Sequence, residues 1–186
     1  MSTRDTVLSA AQRLLTTDPT ASMAQIATAA GVGRATVHRH FASREELLRE
    51  IGGRSLDRWS ESLGLADVEG AIASGDPTRI RACLEELLRQ FVADTEDFGI
   101  ALTDITVLND AELKARADVC FAREVALYAA AQAAGVLRAD VPARWLGHTV
   151  CGLLIAIRDA LVAGDVARRD AADLVLSTFL EGGVAR

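Results

Sequence analysis

The chain has 186 residues, half of them apolar, which is enough for one sizeable core, or a small domain fused to a larger one, and argues against disorder. Three prolines and an aromatic content of 4%, with abundant alanine and leucine, favour helices packed on helices over sheets. The net charge of −6 opposes general affinity for nucleic acid, yet residues 1–50 carry six arginines against five acids, and four of those arginines fall between 34 and 49.

The first helix is predicted over Thr3 to Thr16, where Val7, Leu8, Ala11, Leu14 and Leu15 recur at helical period, and Asp18-Pro19 stops it. No apolar signal-like run opens the chain, so no secretion signal is expected. Ser22 and Gln25 fit a capping box, in which hydroxyl and amide side chains reciprocally satisfy free backbone amides, and launch a short helix ending at Gly31. A third helix is predicted over Arg34 to His40. Ser43 and Glu46 form a second box that opens a long fourth helix with Glu45/Arg49 and Glu50/Arg54 pairs on an exposed face. Gly52-Gly53 lies within it as a candidate bend or hinge.

Further on, Asp76-Pro77 starts a helix expected over Arg79 to Val92. Later helices are expected near 95–107, 111–134, 143–163 and 167–181, with Gly135 as a stop. Trp145 to Ile157, flanked by Arg144 and Arg158, is shorter than the ~20 residues a bilayer span needs and reads as a buried helix. Cys83, Cys120 and Cys151 lie far apart without CxxC spacing, which suggests neither a disulfide framework nor a zinc site. The expected compartment is a reducing cytoplasm, with no membrane, metal or cofactor.

The informative stretch runs from Gln25 to Phe41. Ala27 stands where two helices would cross, and Gly31 can take the left-handed conformation that reverses the chain. Ile26, Val32 and Val37 can close a small core beneath the turn and leave Arg34, Ala35, Thr36, His38, Arg39 and His40 facing outward. A short helix with those side chains fits a major groove.

On the pattern from Met23 to Leu48, which ends in His40, Phe41, Ala42, Ser43, Arg44 and Glu45, the first 50 or so residues resemble the DNA-binding domain of the TetR family. His38 stands where that family often has an aromatic residue, and Gly33 where it often has serine. The resemblance implies an all-α fold, in which an N-terminal three-helix helix-turn-helix domain (1–50) joins through a long helix to a helical ligand-binding and dimerisation domain (51–186). It also implies a repressor that binds a palindromic double-stranded operator and is released by a small-molecule effector. Arg34, Thr36 and His38 would face bases, His40 and Arg44 would hold phosphates, and Ser43 would aim a helix amino terminus at the backbone.

Within 51–186 the resemblance implies a ligand cavity, for which Trp59, Phe98, Phe121, Tyr128, Trp145 and His148 are the candidates, each also readable as plain core. The last two helices are strongly apolar, and Gly147, Gly152 and Ala156 permit close approach, so the family's two-fold four-helix bundle is the expected homodimer. Three other readings follow from the residues: a Cys151/His148 hydrolase, which has no orienting third group, a redox sensor built on the cysteines, and a helical binding protein that has lost DNA recognition.

Overall fold

The computed structural model describes residues 2–183, and among them there are ten α-helices, one 3-10 turn and no strand. The helices are α1 (Thr3–Thr17), α2 (Met23–Ala29), α3 (Arg34–His40), α4 (Arg44–Leu65), α5 (Val68–Ser74), α6 (Pro77–Phe98), α7 (Ile105–Asn109), α8 (Ala111–Ala133), α9 (Ala143–Ala163) and α10 (Arg168–Gly183). The all-α expectation holds.

Contacts divide the chain into two compact units: 1–56 with 96–115, and 57–95 with 116–186. Residues 96–115 thus pack with the N-terminal helices. In the first unit, α1, α2 and α3 pack on one another around Val7, Leu8, Leu15, Ile26, Val37 and Phe41, all fully buried. The other unit has its core in residues such as Leu84, Leu87, Leu127, Tyr128, Val150 and Phe179, and α9 packs along α10.

The helix starts follow local chemistry. The Ser22/Gln25 box forms, with the Ser22 amide donating to Gln25 Oε1 (2.8 Å) and the Gln25 amide to Ser22 Oγ (3.3 Å). The second box forms only in half: Glu46 N–H donates to Ser43 Oγ (3.1 Å), but the Glu46 carboxylate reaches past Ser43 to accept from the Ala42 amide (2.8 Å). Asp76 caps the turn that begins at Pro77, and Asp110 accepts from the Glu112 and Leu113 amides at the start of α8.

Three expectations need correction, and one helix is additional to them. The break expected near Val92 is absent, because Asp94 pairs with Arg58 (2.8 Å) and the Thr95 hydroxyl bonds the Val92 carbonyl (2.7 Å); neither side chain is left to cap a new helix. In place of a helix over 95–107, α6 runs to Phe98, a 3-10 turn covers Gly99–Leu102, and α7 is a single short turn capped by Asp104. The additional helix is α5, which begins after Asp67, a residue that holds the left-handed conformation at φ 54°. Finally, α9 is not a fully buried helix: it buries Leu146, Gly147, Val150, Leu154 and Ile157 and exposes the opposite face. By length and composition α9 alone among the described helices could cross a bilayer, though Arg144, Arg158 and Asp159 interrupt it.

Candidate nucleic-acid and effector sites

The turn between α2 and α3 depends on Gly31, whose φ of 67° lies in the left-handed region, where a side chain would strain the backbone. Val37 anchors α3 inward and Phe41 closes the same core, which leaves the other face of α3 to solvent. Arg34, Ala35, His38 and Arg39 are exposed, while Thr36, His40, Ser43 and Arg44 are half-buried.

Many arginines outside this face are paired with carboxylates. Arg4 forks onto Glu50, Arg49 bonds Asp110 (2.7 Å), and Arg54 bonds Asp5 (2.8 Å); elsewhere Arg58, Arg79, Arg116 and Arg123 each hold a carboxylate. Their arginine partners push the Glu50 and Asp5 carboxyls below the usual range. Arg34 and Arg39, like Arg13 on α1, make no ion pair or hydrogen bond among the described residues, so an acidic chain presents two uncompensated positive charges on one short helix.

Two predicted phosphate ligands are placed differently from the exposed ones. Arg44 donates from Nη2 to the Pro19 carbonyl (2.5 Å) and from Nε to that of Ala21 (3.5 Å), tying the α1–α2 loop to the start of α4. His40 has a buried Nε2 without a hydrogen-bond partner. Of the helix-face pairs expected on α4, Glu50 and Arg54 lie 3.6 Å apart, whereas Arg49 bonds Asp110.

Gly52-Gly53 does not interrupt α4. Gly52 is buried, and a Cβ built there would lie 2.8 Å from Leu113 Cδ1 and 2.9 Å from Val107 Cγ1. Hydrogen on Cα is therefore what lets α4 meet the segment around α7.

The effector candidates separate. In the second unit, Trp59 meets Phe91 edge-on at 6.5 Å and the fully buried Tyr128 meets Phe179 at 5.9 Å. Tyr128 donates its hydroxyl to Glu124 (2.6 Å), a buried acid missed from sequence although Cys120, Glu124, Leu127, Tyr128 and Ala131 share the buried face of α8 at spacings of three and four. Burial pushes the Glu124 carboxyl up to about 7. Phe121 lies 5.2 Å from His148 and beneath the Arg144 guanidinium, with Gly147 giving it room. Trp145 is 61% exposed, and Phe98 belongs to the other compact unit.

Cys83 and Cys120 are buried and Cys151 is exposed; desolvation raises all three thiols, Cys83 to about 11, whereas reactive cysteines are those whose thiolate is stabilised. No group of three metal-ligating side chains is found among the described residues.

Comparison with known proteins agrees with this arrangement. Residues 7–51 match the profile of the bacterial regulatory proteins of the tetR family. The chain is 30% identical over 184 residues to the HTH-type transcriptional repressor LfrR of Mycolicibacterium smegmatis, covering 97% of this chain and 89% of that protein. The crystal structure of LfrR from Mycobacterium smegmatis in complex with proflavine superimposes with a TM-score of 0.77 at 26% identity, covering 99% of this chain and 97% of the other. AibR in complex with isovaleryl coenzyme A and operator DNA shares the fold, with a TM-score of 0.68 at 21% identity over 96% and 98% of the two chains.

Proposed function

Because the chain belongs to the TetR family of transcriptional regulators, we propose that it is a repressor that binds a palindromic operator as a homodimer and is released by a small-molecule effector. The observation that carries the DNA-binding part is the pair of unpaired arginines on the exposed face of α3. In this reading Arg34, Thr36 and His38 meet base edges, with Ala35 allowing close approach, while Arg39, His40 and Ser43 contact phosphates. Arg44 acts by holding the α1–α2 loop in place. Residues 1–50 supply DNA recognition and 51–186, of which 184–186 lie outside the described residues, supply effector binding and dimerisation.

The homodimer reading rests on the exposed side of α9 and α10. Trp145, Gly152, Ala156 and Val162 on α9 and Leu174 on α10 form an apolar, small-residue face that a lone protomer leaves in water. Gly147, expected to serve the same seam, is instead used inside the protomer against Phe121. A second copy laid on this face would give the two-fold bundle and hold two α3 helices at the separation that successive major grooves require.

Effector release needs a mechanical route to α3. The start of α4 is fixed to α1 by Arg4–Glu50 and Arg54–Asp5, and to the segment around α7 by Arg49–Asp110 and the Gly52 approach. An effector that displaced 105–113 would therefore pull on α4 and on the helices anchored to it. This assigns Gly52 to tight transmission through packing; a bend at the glycine pair is not required. The repressor acts in the cytoplasm, where its operator is.

A mobility-shift titration of the DNA flanking its own gene tests the proposal. A discrete shift that is reversed by an effector supports it. A helical binding protein without DNA recognition would give no shift at stoichiometric concentration.

A further inference from the structure

Glu124 is 3% exposed, and the groups that face it are neutral: the Tyr128 hydroxyl donates to it at 2.6 Å, the Trp59 indole lies beside it, and the Cys120 and Cys151 thiols complete the ionisable groups in its field. Among the described residues no arginine, lysine or histidine pairs with it, whereas partly buried carboxylates such as Glu50 and Asp94 have arginine partners. Trp59 Nε1 is also buried and faces the Glu124 carboxyl, toward which it acts as a second neutral donor although the contact falls short of good hydrogen-bond geometry. A buried acid whose donors are all neutral is costly to ionise, and a cation bound beside it would offset that cost.

The surroundings favour one ligand charge. Trp59 and Tyr128 flank the acid, and each packs against a further ring, Phe91 and Phe179 respectively, so the site is rich in aromatic rings, whose negative faces attract cations. An anionic ligand would meet a like charge in a low-dielectric site, and a neutral one would leave the acid uncompensated. We propose that Glu124 is the acidic receptor for the protonated nitrogen of an aromatic organic cation, and that such cations are the effector class of this regulator, with Trp59 and Tyr128 flanking the charge. This inference rests on the effector-responsive reading above and specifies its ligand. Sequence alone nominated Trp59 and Tyr128, and the acid between them defines the chemistry.

The test is calorimetric titration of the full chain, without DNA, with the cation 9-aminoacridine and with uncharged acridine at about pH 8. The wild type is expected to bind the cation at least ~10-fold more tightly, and Glu124→Gln to reduce that preference below ~3-fold while leaving acridine affinity nearly unchanged. No cation binding, equal affinities in the wild type, or a preference that survives Glu124→Gln overturns the assignment. A wild-type measurement keeps the test open should the variant fail to fold. At about pH 6.5, titrations in buffers of different ionisation enthalpy should show proton release with the cation and none with acridine. Absence of that difference also overturns the assignment. The titration involves no operator, so its failure leaves DNA binding standing, and a failure of DNA binding leaves its outcome readable.

Discussion

Gly52→Ala and Gly64→Ala make the same chemical change on the same helix and should have opposite effects. Both replacements gain helix propensity, about 1 kcal/mol at an interior position. At Gly64 nothing lies within 4 Å of the new methyl group, so the gain stands and Gly64→Ala should stabilise the protein by up to about 1 kcal/mol. At Gly52 the methyl would sit 2.8 Å from Leu113 Cδ1 and 2.9 Å from Val107 Cγ1, closer than packed carbon atoms approach. Leu113 can swing its terminal methyl, but Val107 is branched at Cβ and can yield only by moving its backbone. Overpacking of this kind costs about 1–3 kcal/mol, which cancels or exceeds the propensity gain and leaves Gly52→Ala neutral to destabilising by about 2 kcal/mol. Urea unfolding at one fixed protomer concentration measures the difference, since any dimer makes stability concentration-dependent. Equal stabilisation by the two variants would refute the close approach of α4 to Val107 and Leu113, and with it the proposed route from 105–113 to the DNA-binding helices.

Arg34→Ala should weaken operator binding by about 1–3 kcal/mol and relax base preference, whereas Arg39→Ala should weaken binding to all sequences and lower the salt slope by about one; fluorescence anisotropy across salt concentrations separates them. Gly152→Glu places a charge in open space on the exposed face of α9, so the protomer should fold while light scattering reports a monomer; a persistent dimer would move the interface elsewhere. Burial pushes the Glu124 carboxyl up to about 7, above its unfolded value, so its contribution is present in acid and is lost as pH rises through 7. Glu124→Gln should therefore gain stability relative to wild type between about pH 4.5 and 8, by roughly 3 kcal/mol at the upper end, and a pH-independent difference in unfolding free energy would contradict the burial of an uncompensated acid.

Where sequence reasoning succeeded, the signal was local. The Ser22/Gln25 box, the left-handed Gly31 and the inward Val37 are decided within a few residues of chain, and they place the outward face of α3 without knowledge of the rest. Where it failed, a distant residue competed for a local one. Asp94 and Thr95 look like a helix start, but Arg58 takes the first side chain and the Val92 carbonyl the second. Arg49 has Glu45 four residues away and yet bonds Asp110, itself a cap for α8. Arg44 is a plausible phosphate ligand by position and spends its donors on the carbonyls of Pro19 and Ala21. The effector site was the least legible part, because aromatic residues signal core and pocket alike. Glu124, one acid on the buried face of α8, was the more informative residue, and only its position relative to Tyr128 at i+4 and Cys120 at i−4 could have exposed it.

Selection of bound duplexes from a random library, at about 100 mM salt, tests the central claim most directly. The account predicts enrichment of one palindrome whose half-sites lie about 34–36 Å apart along the duplex, with Arg34→Ala losing preference at a symmetric pair of positions. Failure to enrich any sequence, or enrichment of a site without two-fold symmetry, would contradict it.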